Sequence, residues 1–200
     1  MNHSLQRYYH FQSAIYDLTR WSFLFGRREL LQQLSPSPVP ERILEIGCGT
    51  GTNLRRMADF FPESRITGLD LSPHMLAKAR RKTEKFGSRV ELRREDYSRP
   101  LDPQGFELVV FSYCLSMINP GWEQAVIAAD QDLVPGGRVA VVDFHHSAIS
   151  AFRAWMGMNH VRLDGHLVPF LKSMFPRHRA VVRKGYGGLW SYVIFTGQKI

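Results

Sequence analysis

Residues 44–53 read LEIGCGTGTN, and the fold is decided there. The apolar run RILEI (42–46) leads into glycines at 47, 49 and 51, and then into TNLRRMADFF with Leu54, Met57 and Phe61 on one side. That order predicts a buried strand, a tight loop and an amphipathic helix. Glycines at alternate positions let the backbone bend sharply and approach a ligand closely. A dinucleotide fingerprint needs glycine or alanine at position 52, which is Thr52 here. Glu45 sits just before the loop, where a carboxylate suits an ammonium and repels a pyrophosphate. Both departures predict a cationic, amino-acid-bearing ligand.

Outward from that stretch, strands and helices alternate. RITGLD (65–70) reads as a second strand, and Ser72-Pro73 as an N-cap and first-turn proline for HMLAKARRKTEKF, which Gly87 closes. RVELRRED, ELVVFSYC and RVAVVDF read as further strands, with a helix through Trp122, Val126 and Ile127 and a PGG turn between the last two. The tail VVRKGYGGLWSYVIFTGQK predicts two antiparallel strands around a glycine-rich turn. The expected fold class is α/β, a doubly wound, mostly parallel seven-stranded sheet. The prolines of SPSPVPE (35–41) divide an aromatic helical cap, residues 1–38, from a ligand-binding domain, residues 39–200. Ligands in such sheets lie past the carboxyl ends of the strands. FSYCLSMINPGW (111–122) leaves the sheet at that rim.

Composition narrows the class of protein. Two hundred residues with 44% hydrophobic and 22% charged side chains fit one globular domain. Cys48 and Cys114 lie in apolar contexts far apart, which predicts free thiols in a reducing cytoplasm. MNHSLQRYYHFQ lacks the apolar centre of a secretory signal, and no apolar run reaches the ~20 residues that span a bilayer. The net charge of +8 is concentrated: residues 151–200 hold 8 basic and 1 acidic side chain, interleaved with Phe152, Trp155, Met156, Phe170 and Phe175. Such a segment suits an anionic membrane surface, nucleic acid, or plain solvent exposure.

With its glycines and its preceding acid, E-x-G-x-G-x-G resembles the cofactor motif of the class I S-adenosylmethionine-dependent methyltransferases. The resemblance implies that Glu45, Gly47, Gly49 and Gly51 meet the methionine and ribose part of the cofactor. It further implies Asp70 on the ribose hydroxyls with Leu71 beside it, Asp96 and Tyr97 at the adenine, and Ser112 where the fourth strand ends. IYDLTRWSFLFGR (15–27), FSYCLSMINPGW and NHVRLDGHL (159–167) together resemble the methyltransferase of betaine-lipid synthesis, which trimethylates the amine of diacylglyceryl-homoserine.

On that resemblance the acceptor is a lipid amine in an anionic membrane, and the protein is a cytoplasmic, peripheral membrane enzyme. It works beside the enzyme that makes diacylglyceryl-homoserine, without nucleic acid and without a metal. Methyl transfer needs a neutral amine, and burial beside apolar side chains favours that form. Tyr16 and Tyr113 are the expected aromatic walls for the growing cation, with Ser116 opposite and His145 as proton acceptor. Tyr8, Arg20, Trp21, His160 and Arg162 are the expected acceptor-binding residues, the cations among them for the homoserine carboxylate. Other readings stay open: another lipid or small-molecule amine such as phosphatidylethanolamine, a quinone, or a nucleic-acid-binding protein with a vestigial cofactor pocket.

Overall fold

The computed structural model describes residues 24–34 and 38–200. Seven strands form one sheet in the order β3-β2-β1-β4-β5-β7-β6. Strands β1 (Arg42–Ile46), β2 (Arg65–Leu69), β3 (Val90–Arg93), β4 (Phe106–Ser112) and β5 (Leu133–His146) run parallel. Strand β7 (Trp190–Gln198) inserts antiparallel beside β5, and β6 (Arg177–Gly185) pairs antiparallel with β7. This is the expected doubly wound architecture, the Rossmann-like methyltransferase fold. The order reverses beside β1, where β4 lies opposite β2, so the β1 loop opens at the switch point that favours ligands.

Two apolar layers cover the sheet. Helices α1 (Arg27–Gln33), α2 (Thr52–Phe60), α3 (Pro73–Thr83) and α5 (Ser150–Met158) pack on one face through Leu30, Leu54, Leu76 and Met156. Helices α4 (Trp122–Asp132) and α6 (Leu167–Met174) cover the other through Trp122, Val126 and Leu171. Ser72 caps α3 as expected: its hydroxyl accepts from the Met75 amide at 3.3 Å, and Pro73 takes the first turn.

Some boundaries differ from the sequence reading. Helix α3 ends at Thr83 and tightens into a 3-10 turn over Glu84–Arg89. The PGG turn is part of β5, which shifts register between Phe106 and Leu108 of its partner. Ile127 of α4 points outward, with Ala125, Val126, Ala128 and Ala129 buried in its place. Of the expected cap, residues 1–38, helix α1 packs on the domain, with Leu30, Leu31 and Leu34 buried in its core, and residues 1–23 lie outside the described residues. Arg138 of β5 ties that segment down, donating to the carbonyls of Leu34 and Pro38.

Candidate active site

The β1–α2 loop turns on three left-handed glycines, with φ of +66° at Gly47, +54° at Gly49 and +73° at Gly51. Their surroundings differ. A Cβ at Gly47 would stand 2.7 Å from Cβ of Cys114, and one at Gly51 2.9 Å from Cα of Ala79. A Cβ at Gly49 would meet nothing within 4 Å. Gly47 and Gly51 are therefore needed for packing, whereas Gly49 leaves bare backbone open to a ligand.

Two carboxylates frame the loop. Asp70, at the end of β2, accepts from the Gly49 amide and the Ser72 amide, both at 2.8 Å. Glu45 is buried in β1, where one oxygen accepts from Asn53 Nδ2 at 2.8 Å and the other, Oε2, has no partner among the described residues. Burial pushes the Glu45 carboxyl up to about 7, against the lowering effects of the Asn53 bond and of Arg27. Cys48 is buried beside them and its thiol is pushed well above its usual range, chiefly by desolvation, so it is no nucleophile.

A cleft of about 490 Å³ opens over the loop, lined by Gly47, Gly49, Thr50, Leu24 and Arg27 and by cations of α3. Arg27 Nε donates to Ser112 Oγ at 2.7 Å, which joins α1 to the end of β4. Leu71, next to Asp70, is 61% exposed and presents an apolar side chain at the rim. Among the described residues no group of three potential metal ligands converges.

Residues 43–137 match the family model described as a methyltransferase domain. The chain has its fold and its loop. Over residues 43–137 it resembles a methyltransferase domain, and its sheet is that of the class I S-adenosylmethionine-dependent enzymes. A 2-phytyl-1,4-naphtoquinone methyltransferase of Thermosynechococcus vestitus is 29% identical over 151 residues, 72% of this chain and 67% of the relative. A trans-aconitate 2-methyltransferase of Streptomyces avermitilis is 37% identical over 103 residues, 50% of this chain and 38% of the relative. The chain thus spans about two thirds of the first relative and well under half of the second. Among solved structures, the N-methyltransferase NodS of Bradyrhizobium japonicum, bound to S-adenosylhomocysteine, superposes with a TM-score of 0.71 at 20% identity, over 86% of this chain and 85% of NodS.

S-adenosylmethionine is the cofactor of this methyltransferase domain, and the residues present fit it. The orphaned Oε2 of Glu45 suits an ammonium, and Arg27 suits a carboxylate. Asp70, whose oxygens each accept one backbone bond, keeps lone pairs for ribose hydroxyls. Gly49 offers room for the ligand itself. When bound, the cofactor supplies an electrophilic methyl group; the protein's part is to hold it and align the acceptor. Arg27 is the residue sequence reasoning missed. It closes the stretch 15–27 without standing out there, and its bond to Ser112, 85 positions away, and its place in the cleft single it out.

Other expected residues are placed differently. Tyr97 is buried, and its hydroxyl donates to Asp132 Oδ2 at 2.8 Å, so the side chain turns toward α4. Asp96 is exposed at the surface beside it. Tyr113 and Ser116 do not line the open cleft. Tyr113 is fully buried, with its hydroxyl donating to the Phe25 carbonyl at 2.8 Å and its ring edge-on to Phe144. Ser116 Oγ donates to buried Asp143 Oδ1 at 2.6 Å. Tyr113 takes a left-handed φ of +57° just after β4.

His145, next to last in β5, is half-buried. Its Nδ1 has no partner among the described residues, and burial, aided by His146 and His166, pushes its pKa down. Arg162 is engaged by Asp164, its Nη2 donating at 2.7 Å, and His160 sits at a positive φ in the same rim segment. The structure therefore does not bring His160 and Arg162 together with the glycine-loop cleft. Tyr8, Tyr16, Arg20 and Trp21 lie outside the described residues.

Proposed function

We propose that this methyltransferase acts on an amine carried by a lipid, trimethylating diacylglyceryl-homoserine to the betaine lipid at the cytoplasmic face of an anionic membrane. The observation that carries a lipid acceptor is the outer face of α5. On it Trp155 and Met158 are 45% and 73% exposed, Ile149 just before its first turn is 46% exposed, and the chain from 151 to 200 holds 8 basic residues against 1 acidic. Apolar side chains set among cations favour the headgroup region of anionic bilayers. Among the described residues no helix is long and apolar enough to cross a membrane, so docking would be peripheral. The amine rests on the likeness of residues 15–27, 111–122 and 159–167 to the betaine-lipid enzyme.

A second reading has its own support. The relative from Thermosynechococcus is named for a phytyl-bearing naphthoquinone, an acceptor that also carries an apolar tail. The two readings differ in the methylated atom, nitrogen or ring carbon. Cells expressing this chain with the enzyme that makes diacylglyceryl-homoserine should accumulate that lipid with three added methyl groups, read by mass spectrometry. Unchanged homoserine lipid alongside a methylated quinone would replace the first reading by the second. Tight RNA binding without vesicle binding would remove both.

A further inference from the structure

A second cluster of titratable groups lies away from the glycine loop, at the carboxyl end of β5. His145 Nδ1 and His166 Nε2 are both buried, and neither has a hydrogen-bond partner among the described residues. Buried polar atoms are almost always bonded, so two orphans in one neighbourhood call for a reason. The two rings are neighbours. His145 lies against Gly165, where an added Cβ would stand 3.2 Å from its Cε1, and the Gly165 amide donates to the His145 carbonyl at 2.8 Å. His166 follows directly. It adds to burial and to His146 in pushing the His145 pKa down, and these two histidines are the charged groups that act on that ring.

His166 is held in place. Its Nδ1 bonds Asp164 Oδ1, its amide donates to the same oxygen at 3.3 Å, and the Trp122 ring of α4 packs edge-on at 4.9 Å. A carboxylate only accepts, so in the neutral ring Nδ1 carries the proton and Nε2 keeps a lone pair. Desolvation works against the ionised Asp164, yet the bonds from Arg162 and His166 hold its pKa down to about 2. Asp164 is therefore a carboxylate, able to balance a charge on His166.

The position suits the acceptor side of the reaction. The Arg162 amide donates to the Ser116 carbonyl at 3.0 Å, so this segment covers the turn that follows β4. Ser112, at the end of the same strand, takes the bond from Arg27 of the cofactor cleft. Strand β4 stands between β1, which carries the cofactor loop, and β5, which carries His145. Each methyl transfer to an amine releases one proton. The S–CH3 bond breaks with its electron pair left on sulfur, the nitrogen lone pair forms the new bond, and the N–H proton has to leave.

We propose that His145 takes this proton on Nε2 and gives the one on Nδ1 to His166 Nε2, with Asp164 balancing the charge. This rests on the methyltransferase reading above and adds His166 and Asp164 as residues that act through His145. The side chains of His166 and Asp164 are 11% and 49% exposed, so the relay runs from a covered ring to an open carboxylate in contact with water.

Nitrogen-15 imidazole spectra of the full chain loaded with S-adenosylhomocysteine test the pairing without turnover. His166 should carry its proton on Nδ1, and Asp164→Asn should abolish that preference. His166→Gln should raise the His145 midpoint, because a like charge is removed. Kinetics with diacylglyceryl-homoserine in neutral micelles test the proton transfer. His166→Gln should lower kcat by about tenfold or more and leave KM within about twofold. The acid-side limb of its kcat profile should move to higher pH together with the His145 midpoint. His166→Gly should regain activity with added imidazole, which replaces a proton carrier but not a packing contact. Rings that titrate independently, or a kcat that ignores both the His166 and the Asp164 substitutions, overturn the relay. So does lost activity that imidazole fails to restore while KM rises, which assigns His166 to packing. If the rings are coupled as described but the lipid is never methylated, the pairing stands and the homoserine-lipid assignment falls.

Discussion

Glu45 couples this site to pH. Its carboxyl sits near 7 against an ordinary 4.5, because burial disfavours its ionised form. The folded protein therefore holds this proton more tightly than the unfolded chain does. The stability that results is complete below pH 4.5 and declines as pH rises to about 7, by an amount on the order of 3 kcal/mol. A ligand ammonium acts in the opposite sense, since it favours the ionised carboxylate. S-adenosylhomocysteine should thus bind most tightly near pH 8, where the carboxylate is ionised and the ligand still carries its ammonium, and progressively more weakly from pH 7 to pH 6. Glu45→Gln should flatten that profile; a slope that survives the substitution would move the ammonium elsewhere. Asp70→Ala should weaken the same ligand at least tenfold, from loss of charge-assisted hydrogen bonds worth about 1.5–3 kcal/mol. Calorimetry reads both, and unaltered affinity in the Asp70 variant would remove the ribose contact.

At the scale of elements, the glycine loop separates two functions that its pattern presents as one. Gly51→Ala presses a methyl group on α3 at a left-handed φ and should lower stability by about 1–3 kcal/mol in thermal or urea unfolding. Gly49→Ala faces open space, so its stability cost is limited to the backbone conformation, about 1–2 kcal/mol. Its larger effect should be on cofactor affinity, because the added methyl occupies the bare surface. Equal affinity losses in the two variants would contradict that division.

The loop was legible in sequence because alternating glycines after an apolar strand have few structural uses. The directions of Tyr97 and Ser116 were not. Each depends on a buried carboxylate, Asp132 or Asp143, that arrives from a distant segment, and no local pattern encodes such a pairing. The packing of helix α1 was not legible for a similar reason. The proline-rich stretch after it reads as a linker, while Leu30, Leu31 and Leu34 reveal their role only against the sheet.

At the scale of the whole molecule, charge and apolar exposure are unevenly distributed, and membrane docking should follow that distribution. Vesicles containing phosphatidylglycerol should pull down the protein more strongly than neutral ones, and salt should weaken the association. Trp155→Ala with Met158→Asp should reduce binding to either vesicle type, and circular dichroism should show the fold intact. Sedimentation that ignores both substitutions would place the docking face off α5. The parallel sheet was readable from the alternation of elements, since parallel neighbours require crossovers. The inserted position of β7 was not, because a hairpin predicts pairing between its two arms and leaves open which arm joins the sheet.

That insertion imposes a sequence of events on assembly. Strand β6 is made first yet reaches the rest of the sheet only through β7, so it has nowhere to zip until its successor has docked on β5. Until then the sticky margin of β5 stays open to any other strand in reach, which makes a half-folded molecule vulnerable to clumping. Amide protons of β6 should accordingly exchange with heavy water sooner than those of β7, the outer arm letting go before the inner one.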